Sequence, residues 1–507
     1  MIRLIRNIYI NISAFSINTA IGLAAISIII DAYGLEGYGI LVLARQLLPI
    51  GIVGFFLAGL PEATSRYVAS SIAEANAHIA ESMVKIALLC AIAIGIVVLV
   101  LISTLASSIV TTFAIQEKDI ESFKLIIYLT AISLPLHFAG DILRGALEGL
   151  GRFGVVRTVE VFGNLVFLVT VIVMPALDFG MTEVIISFVI IGNARSILYF
   201  FLAGSKFHFS LSIGKAEFSD AKPLLQHAMA FFTSKLYGAA LNHAPTVIVT
   251  YLTSNTLSAG ALDVVMKIPR LIKTGCGMFG NVLLPYSAKA DALGNDLSIS
   301  RVIRSGTMAL VAMTTPLIFI IGIFNKELIN NWIGAEYIDI EIWFAYALFY
   351  PVLISTVSIG NAMLAARRSA VARLNRIAFF QVLVFYFSVA ALNGAFGWKA
   401  FIIATLVATL VSVVLQHLII KSEYNIIYKD YYRYLFRGLS VFAMILCMKI
   451  LLVSIFNSES VVSSLVIFLL CTFAMYFAVY SIVLRFEDRL VLNNLMTQIP
   501  LLKRRNG

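Results

Sequence analysis

Lys267, Arg270 and Lys273 share one apolar stretch, residues 258–286. At 100° per residue they fall at about 0°, 300° and 240°, on one helix face. The stretch has its midpoint near Ile272, so all three lie within about 8 Å of the bilayer centre, a long reach for snorkelling. A cation there costs about 3 kcal/mol on insertion scales and usually marks a wet path or a site for an anion. Lys235 is similarly deep in its own stretch, and Arg45 lies somewhat toward the outer side; Arg195 and Lys449 complete the set of seven intramembrane cations.

Compensating acids are few. Asp263 stands one turn before Lys267 and could pair with it, whereas Asp141 and Glu160 fall nearer cytoplasmic ends. A pyrophosphate would match the remaining cations through charge-assisted hydrogen bonds. The plainer alternative is a wet seam in which the cations only hold helices together. Substrate-binding candidates are therefore Arg45, Lys235, Lys267, Arg270 and Lys273; Arg195 and Lys449 need not face a cavity. Asn18, Asp263 and His243 are candidates for coupling or sugar contact, with Tyr237 and Asn281 at similar depth. A packing role for His243 is the stronger expectation. Glu62 and Arg66, four apart, read as a helix-end ion pair.

These residues need helices to hold them. The chain has 507 residues, 60% hydrophobic and 13% charged, a balance suited to a bilayer that demands about 20 apolar residues per crossing. Spans are expected at 8–31, 38–66, 83–108, 123–145, 155–177, 183–204, 224–252, 258–286, 303–324, 341–366, 374–396, 399–420, 434–457 and 461–485, about fourteen in all. Arg3 and Arg6 precede the first, which reads as an uncleaved helix without a small-x-small cleavage site. From Arg144/Arg152/Arg157 onward, to Lys421/Lys429/Arg433/Arg437, every second loop is rich in Lys and Arg, while the alternate loops hold only Lys118, Lys124, Lys326 and Lys399. This places both termini in the cytoplasm, including the tail Lys503-Arg504-Arg505. The formal charge of +10 thus reports topology and not nucleic-acid binding. No loop is long enough for an extramembrane domain. Cys90, Cys276, Cys447 and Cys471 lack disulfide or metal spacing, so neither metal nor cofactor is expected.

Tyr38-Gly39…Arg45…Pro49…Gly59…Pro61 is echoed by Ala259-Gly260…Lys267…Pro269…Gly280…Pro285, an offset of about 222 residues. Such duplication predicts parallel repeats with a site between halves near mid-bilayer. The expected divisions are 1–208, a six-helix N-terminal lobe; 209–425, a six-helix C-terminal lobe; and 426–507, accessory helices and a basic tail.

Gly37-Tyr38-Gly39, Ala63-Thr64-Ser65-Arg66-Tyr67, Gly145-Ala146-Leu147-Glu148-Gly149 before Arg152-Phe153, Met266-Lys267-Ile268-Pro269-Arg270, Leu284-Pro285 and Glu327–Tyr337 together resemble the Wzx-type polysaccharide (O-antigen) flippases. These belong to the multidrug/oligosaccharidyl-lipid/polysaccharide exporter superfamily. The resemblance implies an all-α polytopic membrane protein with a MATE-like fold: two pseudo-symmetric six-helix lobes around a cationic cavity, plus two C-terminal helices. The implied cargo is an undecaprenyl-diphosphate-linked oligosaccharide, moved across the bacterial inner membrane by alternating access, without enzymatic chemistry and with an ion gradient as the driving force. Polysaccharide polymerase and other biosynthesis proteins are candidate partners. Related lipid II flippases carry a further cation in span one, where this chain offers Asn18. Drug-extruding relatives keep an acid in mid-span one, and here the first is Asp31. The alternatives are a drug/cation antiporter and a membrane polymerase or ligase acting on the same precursor.

Overall fold

A computed structural model describes residues 2–74, 77–113, 115–207, 221–292, 296–426, 441, 443–450, 452 and 461–483. The loop cations Lys215, Lys429, Arg433 and Arg437, the basic tail, and the side chain of Asn281 lie outside the described residues. Among the described residues the chain is helical throughout, with no strand. Seven apolar helical stretches among the described residues are long enough to cross a bilayer, and a pair bent by 45° (Glu341–Ser355 and Ser358–Ala365) adds an eighth if counted as one span. The chain is a multi-pass membrane protein.

By internal packing the residues form two units: one through Asp263 with Asn393–Trp398, the other from Val264 to Leu392 and again from Lys399. In the first unit, α1 (Ile2–Gln46) runs through the expected first span and into the second. It bends at Gly34, whose φ of 70° and ψ of 172° interrupt the helix. The second span then breaks in its middle. After Gln46 come a turn containing Pro49, a 3-10 turn Ile52–Leu57, left-handed Ala58 and Gly59, and α2 (Leu60–Ala73). Pro49 lacks a donor, and left-handed backbone at 58 and 59 redirects the chain, so an unbroken helix is impossible here. α3 (Ala77–Thr104), α4 (Ala106–Thr112), α5 (Ile120–Gly149), α6 (Phe153–Ala176), α7 (Met181–Phe207), α8 (Ala221–Asn242) and α9 (Ala244–Thr253) follow. α10 (Thr256–Ala292) begins in this unit.

α1 and α6 are parallel neighbours. Three contacts pair residues 146 positions apart: Arg157 Nε donates to Asn11 Oδ1 at 2.7 Å, Asn164 Nδ2 to Asn18 Oδ1 at 2.9 Å, and the Tyr33 hydroxyl to the Phe179 carbonyl at 2.8 Å. A constant offset occurs only when two strands of chain advance together, as spans one and five must.

The expected repeat has a local counterpart. α1 and the start of α10 cross at Gly39 and Gly260 so closely that a Cβ on Gly39 would overlap the Thr256 carbonyl oxygen, while one on Gly260 would lie 2.5 Å from that of Leu35. Leu35 and Thr256, like Gly39 and Gly260, are 221 positions apart, so residue i meets j+4 and j meets i+4. That reciprocity is the mark of a local two-fold. The equivalence ends further along, because span eight continues as a 37-residue helix through Pro269 where span two breaks. A lone proline kinks a helix; proline with glycine and left-handed backbone ends it.

The second unit holds the rest of α10, α11 (Asp296–Ile323), α12 (Asn325–Ile333), α13 (Glu341–Ala347), α14 (Phe349–Ser355), α15 (Ser358–Ala366), α16 (Arg368–Phe396) as far as Leu392, α17 (Ala400–Tyr424) and α18 (Val461–Ala478). The expected tenth span is thus three short helices. Its core gathers Met308, Phe319, Ile320, Met363, Leu364, Ile420, Ile467 and Cys471, all buried. The chain reverses after α16: the rings of Phe385 and Phe401 lie 6.2 Å apart, against about 24 Å for sixteen residues of straight helix.

Candidate functional site

In the first unit the site is built around the break in span two. Arg45 occupies the last turn of α1, beyond its bend at Gly34, and is half-buried, with its guanidinium carbon 5.7 Å from the Phe188 ring centroid, within cation–π range. Among the described residues no carboxylate comes within 4.0 Å of it. Cations near a helix C-terminus are favoured by the exposed carbonyls. A helix ending in mid-membrane places such carbonyls where protein or water must satisfy them. Beyond the break, Glu62 lies in the first turn of α2, and Lys235 Nζ on α8 reaches its Oε1 at 2.5 Å. Glu62 therefore pairs with Lys235, where sequence spacing favours Arg66. The reason lies in Gly59: a Cβ there would overlap Phe231, so α8 approaches α2 closely enough for the two side chains to meet.

Asn18 accepts from Asn164 inside the α1–α6 pair. Asp263 is buried and accepts a 2.6 Å hydrogen bond from the buried Tyr38 hydroxyl, next to the Gly39–Gly260 crossing. His243 stands at the joint of α8 and α9, half-buried before Pro245, with its backbone N–H on the Ala239 carbonyl.

A network not foreseen from sequence lies toward the expected cytoplasmic end of the same unit. Arg157 donates to Glu160 at 2.6 Å, Glu148 at 3.1 Å and Asn11; Arg144 faces Asp141 at 3.5 Å and Glu160 at 3.7 Å. Its signal was present as i, i+3 and i, i+4 charge spacing along α5 and α6, but Arg144 and Arg157 read as topology-setting loop cations. Arg195 lies within electrostatic reach of Asp141 and packs over Gly163.

In the second unit, α10 presents Lys267 and Arg270 on one side, each half-buried, followed by exposed Thr274 and Gly277; Val265, Met266, Pro269 and Cys276 form the buried opposite face. Lys273 is also half-buried, with Nζ 5.3 Å from the Tyr350 ring centroid. α10 is absent from the apolar spans, although its 37 residues give a length of about 55 Å. Its charges explain that: a helix with this face needs water or protein beside it, not lipid. Lys449 has a structural setting, with Nζ 2.7 Å from both the Ile323 carbonyl and Glu327, over Phe324. It tethers its helix to the junction of α11 and α12. Among the described residues no cluster of His, Cys, Asp and Glu has metal-binding geometry.

No family model and no curated protein sequence matches this chain. Solved structures do. The lipid II flippase MurJ in an inward closed conformation aligns over 92% of this chain and 98% of its own, with a TM-score of 0.68 and 12% identity. An inward-facing multidrug resistance MATE family transporter of the MOP superfamily covers 82% and 98%, at TM-score 0.66 and 14% identity. A MOP superfamily transporter from Pyrococcus furiosus, described as having a binding pocket of reversed polarity, covers 83% and 95%, at 0.60 and 15%. At this identity the likeness establishes the fold: a MATE-like all-α membrane protein.

Proposed function

We propose that the protein is a flippase that moves a lipid-linked oligosaccharide carried on undecaprenyl diphosphate from the cytoplasmic to the periplasmic leaflet of the bacterial inner membrane. The observation that supports this reading is the cationic face of α10, where Lys267 and Arg270 lie half-buried on one side of a 37-residue helix. A diphosphate headgroup matches guanidinium and ammonium donors, the sugars take the wet path, and the prenyl tail stays in lipid. Arg45, at the broken span, and Lys273 are further ligands in this reading. Lys235 joins them once Glu62 releases it. Asp263, His243 and Asn18 are assigned to coupling or sugar contact. Residues 1–208 and 209–425 act as the two lobes of an alternating-access cycle, with 426–507 accessory to it. An ion gradient drives the cycle without a cofactor, and both termini face the cytoplasm. O-antigen or another surface polysaccharide is the product served.

The test is Arg270→Glu in a strain lacking the native protein. Surface polysaccharide falls by at least about tenfold, the scale of a lost charge-assisted contact plus repulsion, and the lipid-linked precursor accumulates on the cytoplasmic side. Normal polymer from a well-expressed variant removes Arg270 from the site. Precursor accumulating on the periplasmic side would instead indicate a polymerase or ligase, and lost resistance to cationic dyes a drug antiporter.

A further inference from the structure

The ion pair between Glu62 and Lys235 is oddly placed for a structural bridge. It joins α2 to α8 about 16 Å from the end of α2 and about 21 Å from the start of α8, with Lys235 near the middle of the expected span 224–252 and Glu62 about 6 Å from the end of the expected span 38–66. Its side chains remain 37% and 46% exposed. A charged pair this open cannot face hydrocarbon, so it faces water. The pair is also poorly finished. Glu62 Oε2 is buried and makes no hydrogen bond, and Glu62 lies within electrostatic reach of two other carboxylates, Asp141 and Glu148. Lys235 is thus the cation that holds Glu62 in a neighbourhood that already contains two other carboxylates. A structural pair is normally closed by extra hydrogen bonds; this one engages a single carboxylate oxygen and leaves the other buried without a partner.

We infer that Glu62 is a built-in substitute for the cargo's phosphate, which neutralises Lys235 in the empty transporter and is displaced when a diphosphate arrives. This rests on the flippase reading and adds a device to it. An uncompensated lysine would hold anions between cycles, and an unpaired one would be costly in the empty state. An internal carboxylate solves both problems, because it competes with the incoming phosphate and then returns to expel it. Competition of this kind weakens binding in order to speed release.

The experiment uses the full-length protein in nanodiscs, with inorganic pyrophosphate and undecaprenyl diphosphate as separate probes. Glu62→Gln removes the competitor and is expected to tighten binding of both by about three- to fivefold, the scale of a partly solvated ion pair. It should lower turnover at the same time. On a Lys235→Ala background the gain disappears, because no cation is left to release. The swapped pair Glu62→Lys with Lys235→Glu keeps the bridge with reversed ends, so it folds normally yet fails to restore transport.

Unchanged or weaker binding by a folded Glu62→Gln, the same gain without Lys235, or full transport by the swapped pair would each overturn the exchange. If the parent protein binds the diphosphate in an Arg270-dependent manner and Glu62→Gln is indifferent, only the exchange fails. If the parent binds neither probe, the flippase reading falls and the exchange with it.

Discussion

Arg157 shows how a membrane protein satisfies charge where water is scarce. One guanidinium serves Glu160, Glu148 and Asn11, joining α1, α5 and α6. Arginine can do this because its donors form a rigid fork; lysine offers a point charge. Arg157→Ala leaves Glu148 without its ion pair and removes one of two cations from Glu160, so we expect a loss of about 2–3 kcal/mol of stability. Arg157→Lys should recover less than half of that. Thermal unfolding of the purified variants measures both, and an unchanged melting temperature in Arg157→Ala would show the network to be incidental. This cluster was only half legible in the sequence. The i, i+3 and i, i+4 spacings mark local pairs, but nothing in the spacing shows that Arg157 meets Glu148 across a turn or Asn11 from another helix. Glu62 makes the same point: Arg66 is the neighbour that periodicity offers, while Lys235 is the one that packing supplies.

At the level of helices, hydropathy finds segments and misses their interruptions. The second expected span, 38–66, reads as one apolar run because Ile50, Ile52, Phe55 and Leu57 keep hydropathy high through the break. Only Pro49, Gly51, Gly54 and Gly59 betray it. The tenth is similar, with Glu341–Ser355 and Ser358–Ala365 meeting at 45°. The reversal near Gly397 falls at the two-residue gap between the expected spans 374–396 and 399–420, the division that hydropathy marks least firmly, and its φ of 54° is a backbone state suited to glycine. The Gly39–Gly260 crossing was legible as the strongest element of the internal repeat, though its role as a contact was not. Here backbones touch, so side chains have no room. Gly39→Val must push α1 from α10 and break the Tyr38–Asp263 hydrogen bond, costing more than about 2 kcal/mol. Tyr38→Phe alone removes only the hydrogen bond, about 1.5–3 kcal/mol if the acceptor is charged. Denaturation midpoints of the two variants and of their combination test the coupling. If the crossing and the bond form one unit, the double variant should be little worse than Gly39→Val.

For the molecule as a whole, orientation is the property most open to a direct test. The parallel pairing of α1 with α6 requires spans one and five to cross in the same direction, so an even number of chain reversals lies between them. Alternation of basic and neutral loops then puts the turn after α6, at Asp178, outside, and the turn after α17, at Asn425, inside. Both residues have left-handed backbone just past a helix C-terminus, with φ of 59° and 50°, positions suited to labelling. In a chain whose four native cysteines are replaced, Asp178→Cys in intact cells should react with a membrane-impermeant maleimide. Asn425→Cys should react only after permeabilisation. The basic residues beside Asn425 support that side: Arg367 and Arg373 both bind Glu423, and Arg367 also stacks over Tyr424, so two guanidiniums share one carboxylate and the local charge stays positive. Labelling of Asn425→Cys in intact cells would invert the topology. The cationic face of α10 would then meet its cargo from the opposite leaflet, and import of an anion would replace export as the transport direction to be explained.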